Sequence, residues 1–90
     1  MEKTRELESQ VFDIDSADSK QLILFNDEIN DFDFVISSLM EVCLHTHEQA
    51  EQCAMIAHYK GKCAVRNGTF VELKPMYDAL TRRNLTMEIK

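Results

Sequence analysis

The side chains in this 90-residue chain that could do chemistry fall into a few groups. One is Asn26-Asp27-Glu28, an amide and two carboxylates in a row, directly after the apolar run Leu22-Ile23-Leu24-Phe25. Another is His58, which closes an apolar stretch shortly before Gly61. A third is Cys43-Leu44-His45-Thr46-His47, with Cys53 and Cys63 further along. Thiols and imidazoles are good zinc ligands, and Cys53 or Cys63 would complete a tetrahedron with that third group. Its spacing matches no standard finger, however, and Cys43 falls on the apolar side of its segment. No metal is expected. A Cys–His hydrolase would need an activated thiolate and an oxyanion hole. Neither a Gly-rich turn nor an orienting third group accompanies any of the cysteines, so no enzymatic activity and no cofactor are expected. Asn26-Asp27 also has the side chains of a plain turn. His58, taken alone, reads as a structural histidine or a charge on a helix dipole. Turn chemistry and ligand binding are compatible at such positions.

The elements that would hold these residues can be read from the pattern of apolar side chains. Residues 1–19 mix charges with few apolar residues and end in Ser, Asp and Ala, which reads as a mobile arm. Residues 20–90 form the folded domain. Gln21–Phe25 is a short apolar run of the kind that makes a buried strand, and the polar stretch from Asn26 to Asp31 breaks it. Asn30 suits a helix N-cap, with Asp33 adding negative charge in the first turn. Phe34, Val35, Leu39, Val42 and Cys43 then recur at helical spacing, with Ser37, Ser38 and Glu41 largely between them. Thr46-His47-Glu48-Gln49 has the form of a capping box, opening a helix with Ala50, Cys53, Ala54, Ile56 and Ala57 on its apolar side. Gly61 ends that helix, Lys62–Arg66 is a strand, and Asn67-Gly68 marks a turn. Thr69-Phe70-Val71-Glu72 is another capping box, opening a helix that runs to about Arg83. Pro75 fits poorly in its second turn, which would move the start of the helix towards Lys74. Leu85, Met87 and Ile89 alternate with polar residues as a half-buried strand. The order β-α-α-β-α-β gives an α+β sandwich, with a small three-stranded antiparallel sheet packed against helices.

Composition bounds the function. The chain is 44% hydrophobic and 29% charged, with two Gly and one Pro, as ordinary globular domains are. A single domain of this length buries only about two-thirds of its unfolded surface. The net charge of −6 and the scattered Lys and Arg exclude a nucleic-acid footprint. An acidic surface suits a cationic partner instead. No apolar run is long enough to span a bilayer, and no secretory leader is visible, so a cytoplasmic location is expected. The three cysteines cannot all pair within one chain and read as small buried hydrophobes of a reducing compartment.

Leu22-Ile23-Leu24-Phe25-Asn26-Asp27-Glu28, then Phe34-Val35, then His58-Tyr59-Lys60-Gly61-Lys62, occur in the order and spacing that resemble the ClpS adaptor family. The resemblance covers residues 21–90. It implies an adaptor that binds polypeptides beginning with Phe, Tyr, Trp or Leu and delivers them to a Clp AAA+ unfoldase, ClpA-like or ClpC-like. By family position, Asn26, Asp27 and His58 would surround the substrate α-amino group, with Glu28 acting through water. Phe32, Val35, Ala54, Ala57 and Leu85 would line the pocket for the first side chain. Glu72 and Lys74 would be the nearest charged residues to an unfoldase contact, and the N-terminal arm would match the family's extension. The chain departs from the family pattern with Asp31-Phe32 where Pro-Met is common, and with Ala54 where Met is common. A larger gate beside a smaller wall implies a reshaped pocket. The implied chemistry is coherent, since an α-ammonium presents N–H donors and a positive charge that call for converging acceptors. The alternative is a general α+β protein-interaction module, indifferent to a free N-terminus.

Overall fold

A computed structural model describes residues 18–90, so the expected arm falls almost wholly outside the described residues. The elements are β1 (Lys20–Phe25), α1 (Phe32–Cys43), α2 (His47–Lys60), β2 (Lys62–Gly68), α3 (Phe70–Arg82) and β3 (Thr86–Ile89). The strands form one antiparallel sheet in the order β2-β1-β3. The expected α+β class and element order are those observed.

The apolar run of β1 takes the central position because it can be buried on both sides. Leu22 and Leu24 join the core with Ile36, Leu39, Leu73, Leu80, Leu85 and Met87. Ile23 points to the opposite face by strand alternation and is buried as well, outside that cluster. The register pairs Leu22 with Arg66 and Ile23 with Ala64, so Val65 is an extra residue without a partner on β1. This is a β-bulge. Its carbonyl is not orphaned, because His45 Nε2 lies 2.8 Å from Val65 O. A carbonyl only accepts, so Nε2 carries the proton, and Nδ1 is left buried without a partner.

Helix ends follow local chemistry. Both capping boxes form, Thr46 with Gln49 and Thr69 with Glu72. Gly61 closes α2 at φ 100°, where a side chain would be strained. Several local expectations are corrected. The N-cap of α1 is Asp31, whose Oδ1 accepts from Phe34 N at 2.8 Å; Asn30 is engaged elsewhere. Asn67 and Gly68 do not turn but extend β2 opposite Gln21 and Lys20. A Cβ at Gly68 would sit 2.6 Å from Glu72 Oε1, so a larger residue there would have to displace the carboxylate of the capping box. Helix α3 starts at Phe70 and carries Pro75 inside it, instead of starting near Lys74. The Thr69 cap fixes that start, and the carbonyl left unpaired by Pro75 belongs to Val71, an exposed residue that water can reach. Ser38 is not on the polar side but fully buried, its Oγ 3.3 Å from Arg83 Nη1. Arg83 also pairs with Glu41 at 2.7 Å, tying α1 to the end of α3.

Candidate functional site

The strand end of β1 and the helix end of α2 meet at one pole of the sheet. Phe25 pairs with Lys62 on one side and Thr86 on the other, which brings β1, the start of β2 and the start of β3 together. The next residue, Asn26, donates its backbone N–H to Gly61 O at 2.9 Å. That bond places the loop after β1 against the α2 C-terminus, where His58 lies one turn before Gly61.

A cavity of about 590 Å³ opens at this junction. Its polar side is formed by Asn26, Asp27, Glu28, Asn30 and His58. Its apolar side is formed by Leu24, Phe25, Val35, Ala54, Ala57 and Leu85. Ala54 and Ala57, on successive turns of α2, are 4% and 3% exposed, so small side chains make the helical wall. Phe32, Met55 and Tyr59 stand partly in solvent around it. Every residue expected for the α-amino group and for the hydrophobic pocket therefore borders one cavity. Glu72 and Lys74 do not: they sit on α3, Glu72 in its capping box and Lys74 paired with Asp78 at 2.8 Å.

Asp27 is more constrained than its sequence position suggests. Oδ1 accepts from the backbone N–H of Ile29 and of Asn30, each at 3.0 Å, the pattern of an Asx turn. The Asn30 amide adds bonds of 3.3 Å to Oδ1 and 3.1 Å to Oδ2, and Thr86 Oγ1 reaches Oδ2 at 3.4 Å. Partial burial pushes this carboxyl up, but the hydrogen bonds from Asn30, Ile29 and Thr86 together outweigh it and hold the group below its ordinary value. Asp27 is thus an ionised group with most of its lone pairs occupied. The Asn26 amide, the Glu28 carboxylate and the exposed His58 ring carry no such set of bonds and are the freer acceptors of the cavity. The His58 ring packs edge-on to Tyr59, with centroids 4.9 Å apart and planes at 77°.

Sequence reasoning did not single out Asn30, Met55, Tyr59, Leu24 or Phe25 for this cavity. Met55 and Tyr59 adjoin residues that it did name, and Asp27 three residues before Asn30 was a readable Asx-turn signal. The rest depended on the tertiary fold.

The thiols lie elsewhere. Cys43 is buried, and Cys53 and Cys63 are half-buried, all packed in or against the core and none in a disulfide. Burial pushes Cys43 up to about 11 against the pull of Arg66. Burial, with the neighbouring Cys63 and Cys43 thiols, pushes Cys53 up to about 12. Such thiols stay protonated at neutral pH and make poor nucleophiles. Among the described residues, no group of three or more His, Cys, Asp or Glu side chains is placed to hold a metal ion. No helix among them is long and apolar enough to cross a membrane.

Comparison with known proteins bears on this arrangement. No curated protein sequence matches the chain. Among solved structures, Agrobacterium tumefaciens ClpS2 bound to L-phenylalaninamide superposes with a TM-score of 0.69. It is 19% identical, with 81% of this chain and 95% of that one covered, a likeness of fold. A family model described as ATP-dependent Clp protease adaptor protein ClpS matches residues 15–88, which is most of the sequence. The chain belongs to the ClpS family of ATP-dependent Clp protease adaptors.

Proposed function

We propose that this protein holds the free N-terminal residue of substrate polypeptides in the cavity between β1, α1 and α2, and presents them to a Clp AAA+ unfoldase, ClpA-like or ClpC-like, in the cytoplasm. The observation that carries the proposal is the meeting of Asn26, Asp27, Glu28 and His58 with an apolar wall in one opening. An α-ammonium offers three N–H donors and a charge. The Asn26 amide oxygen and a neutral His58 ring nitrogen accept from it, Glu28 accepts directly or through water, and Asp27 supplies a fixed negative charge nearby.

The first side chain then turns into the space between Val35, Ala54, Ala57 and Leu85, under Phe32. Burying about 150–200 Å² of an aromatic ring contributes roughly 3–5 kcal/mol. A Lys or Arg head group there would lose its water without gaining a partner. Phe, Tyr, Trp and Leu are therefore the first residues expected. The bound molecule in the ClpS2 structure has the same two parts, a free α-amine and a benzyl side chain.

Fluorescence anisotropy with labelled peptides that differ only in residue one tests this reading. Peptides starting with Phe, Tyr, Trp or Leu should bind, and the Arg peptide should bind at least tenfold more weakly, on the order of 1.4 kcal/mol. His58→Ala should weaken the Phe peptide while leaving the circular dichroism spectrum unchanged. Equal binding of the Phe and Arg peptides, or undiminished binding by His58→Ala, would contradict the assignment.

A further inference from the structure

The loop between β1 and α1 is organised around one neutral side chain. Asn30 Nδ2 donates to both carboxylate oxygens of Asp27, at 3.3 and 3.1 Å. The same nitrogen donates to the backbone carbonyl of Asn84 at 2.8 Å. Asn84 has a left-handed backbone, φ 70°, and immediately precedes Leu85, part of the apolar wall of the cavity. Thr86, on the far side of Leu85, reaches Asp27 Oδ2. A single amide thus joins the acid of the polar side to the corner that carries the apolar side.

We infer that Asn30 is a positioning residue for the substrate amine, orienting the Asp27 carboxylate at the cavity and locking its loop to the Asn84–Leu85 corner. The inference rests on the reading of the site under Proposed function. The chemistry of the side chain is what makes the role specific. A Lys or Arg in its place would neutralise Asp27 and compete with the incoming ammonium. An Asp would repel Asp27. A neutral amide supplies two N–H donors, so it orients the carboxylate and leaves its charge for the ligand. The Asn30 bonds also help hold Asp27 ionised, against the effect of its partial burial. Ordering the cage before the ligand arrives removes part of the cost of binding.

The test uses the full chain with Asn30→Ala and Asn30→Asp, the second keeping the size of the side chain. A Phe-initiated peptide should bind about tenfold more weakly to Asn30→Ala and more weakly still to Asn30→Asp, with thermal melts that remain cooperative. In the peptide-free protein, a carbon-13 NMR titration of the Asp27 carboxyl should show its pKa raised in both variants, most in Asn30→Asp. In an Asp27→Ala background, adding Asn30→Ala should cost clearly less affinity than it does in the parent, because only the link to Asn84 is then left to lose. Parental affinity in Asn30→Ala would overturn the inference. So would a penalty that persists undiminished without Asp27, since it would mark Asn30 as a support of the fold only. Failure of the parent protein to bind the peptide would overturn the site reading and this role together, and it is told apart by appearing before any substitution is made.

Discussion

At Asp27 two demands act on one carboxylate. Partial burial disfavours its charge, while the N–H groups of Asn30 and Ile29 and the Thr86 hydroxyl favour it, and the favourable bonds win. A carboxyl whose folded-state pKa lies below its unfolded value contributes stability at neutral pH that is lost as pH falls below about 4 and through the folded value. Asp27→Asn should therefore show a shallower loss of stability between about pH 4 and pH 2 than the parent, read from urea midpoints at each pH. Parallel acid curves would contradict the hydrogen-bond account of this residue. Asn26, Asp27, Glu28 and His58 were legible as a set through the resemblance to the ClpS family; taken alone they read as a turn and a structural histidine. Asn30 was not legible, because the same amide can cap a helix or clamp an acid. Its choice is settled by Asn84, 54 residues away.

Among the elements, the capping boxes and the helix stop were legible, whereas the cap of α1, the extension of β2 through Asn67-Gly68 and the contacts between distant segments were not. The Thr46–Gln49 and Thr69–Glu72 boxes and the Gly61 stop involve residues within one turn of each other, so residue type alone located them. The bulge at Val65 depends on His45, 20 residues earlier, and no local pattern marks it. His45→Ala would leave the Val65 carbonyl without its donor inside the structure, at a cost of about 1–3 kcal/mol. Urea unfolding measures this, and a change of only a few tenths would mean that water takes over the bond. Pro75 presents the opposite case. It was recognised as awkward, but the strength of the Thr69 cap keeps the helix start at Phe70 and the proline within the helix. Pro75→Ala restores an N–H to the Val71 carbonyl and relieves the ring. It should raise the stability of the domain by about 1–3 kcal/mol in the same assay. A neutral or destabilising result would show that α3 already relaxes around the ring.

Across the described residues, alternation, run length and caps were enough to indicate three strands, three helices and their order. Which strand is central follows from the continuous burial of Leu22, Ile23 and Leu24, which only the middle of the sheet can provide. The cavity is a property of this assembly: β1, α1, α2 and the corner before β3 each contribute to it, and no segment carries it alone. Residues 1–17 lie outside the described residues; the resemblance to the ClpS family implies that they engage the unfoldase during delivery. A chain lacking them should bind Phe-initiated peptides like the parent yet support slower degradation by a cognate unfoldase and peptidase. Unchanged degradation would assign delivery to the folded domain alone. The account as a whole turns on a cation held among acceptors at the edge of an apolar cavity. Isothermal titration calorimetry with one Phe-initiated peptide, in its free and N-acetylated forms, tests that directly. Acetylation removes the charge and leaves the acceptors unpaired, so the free peptide should bind tighter by about 1–3 kcal/mol, roughly five- to more than a hundredfold. Equal affinity for the two forms would contradict the account.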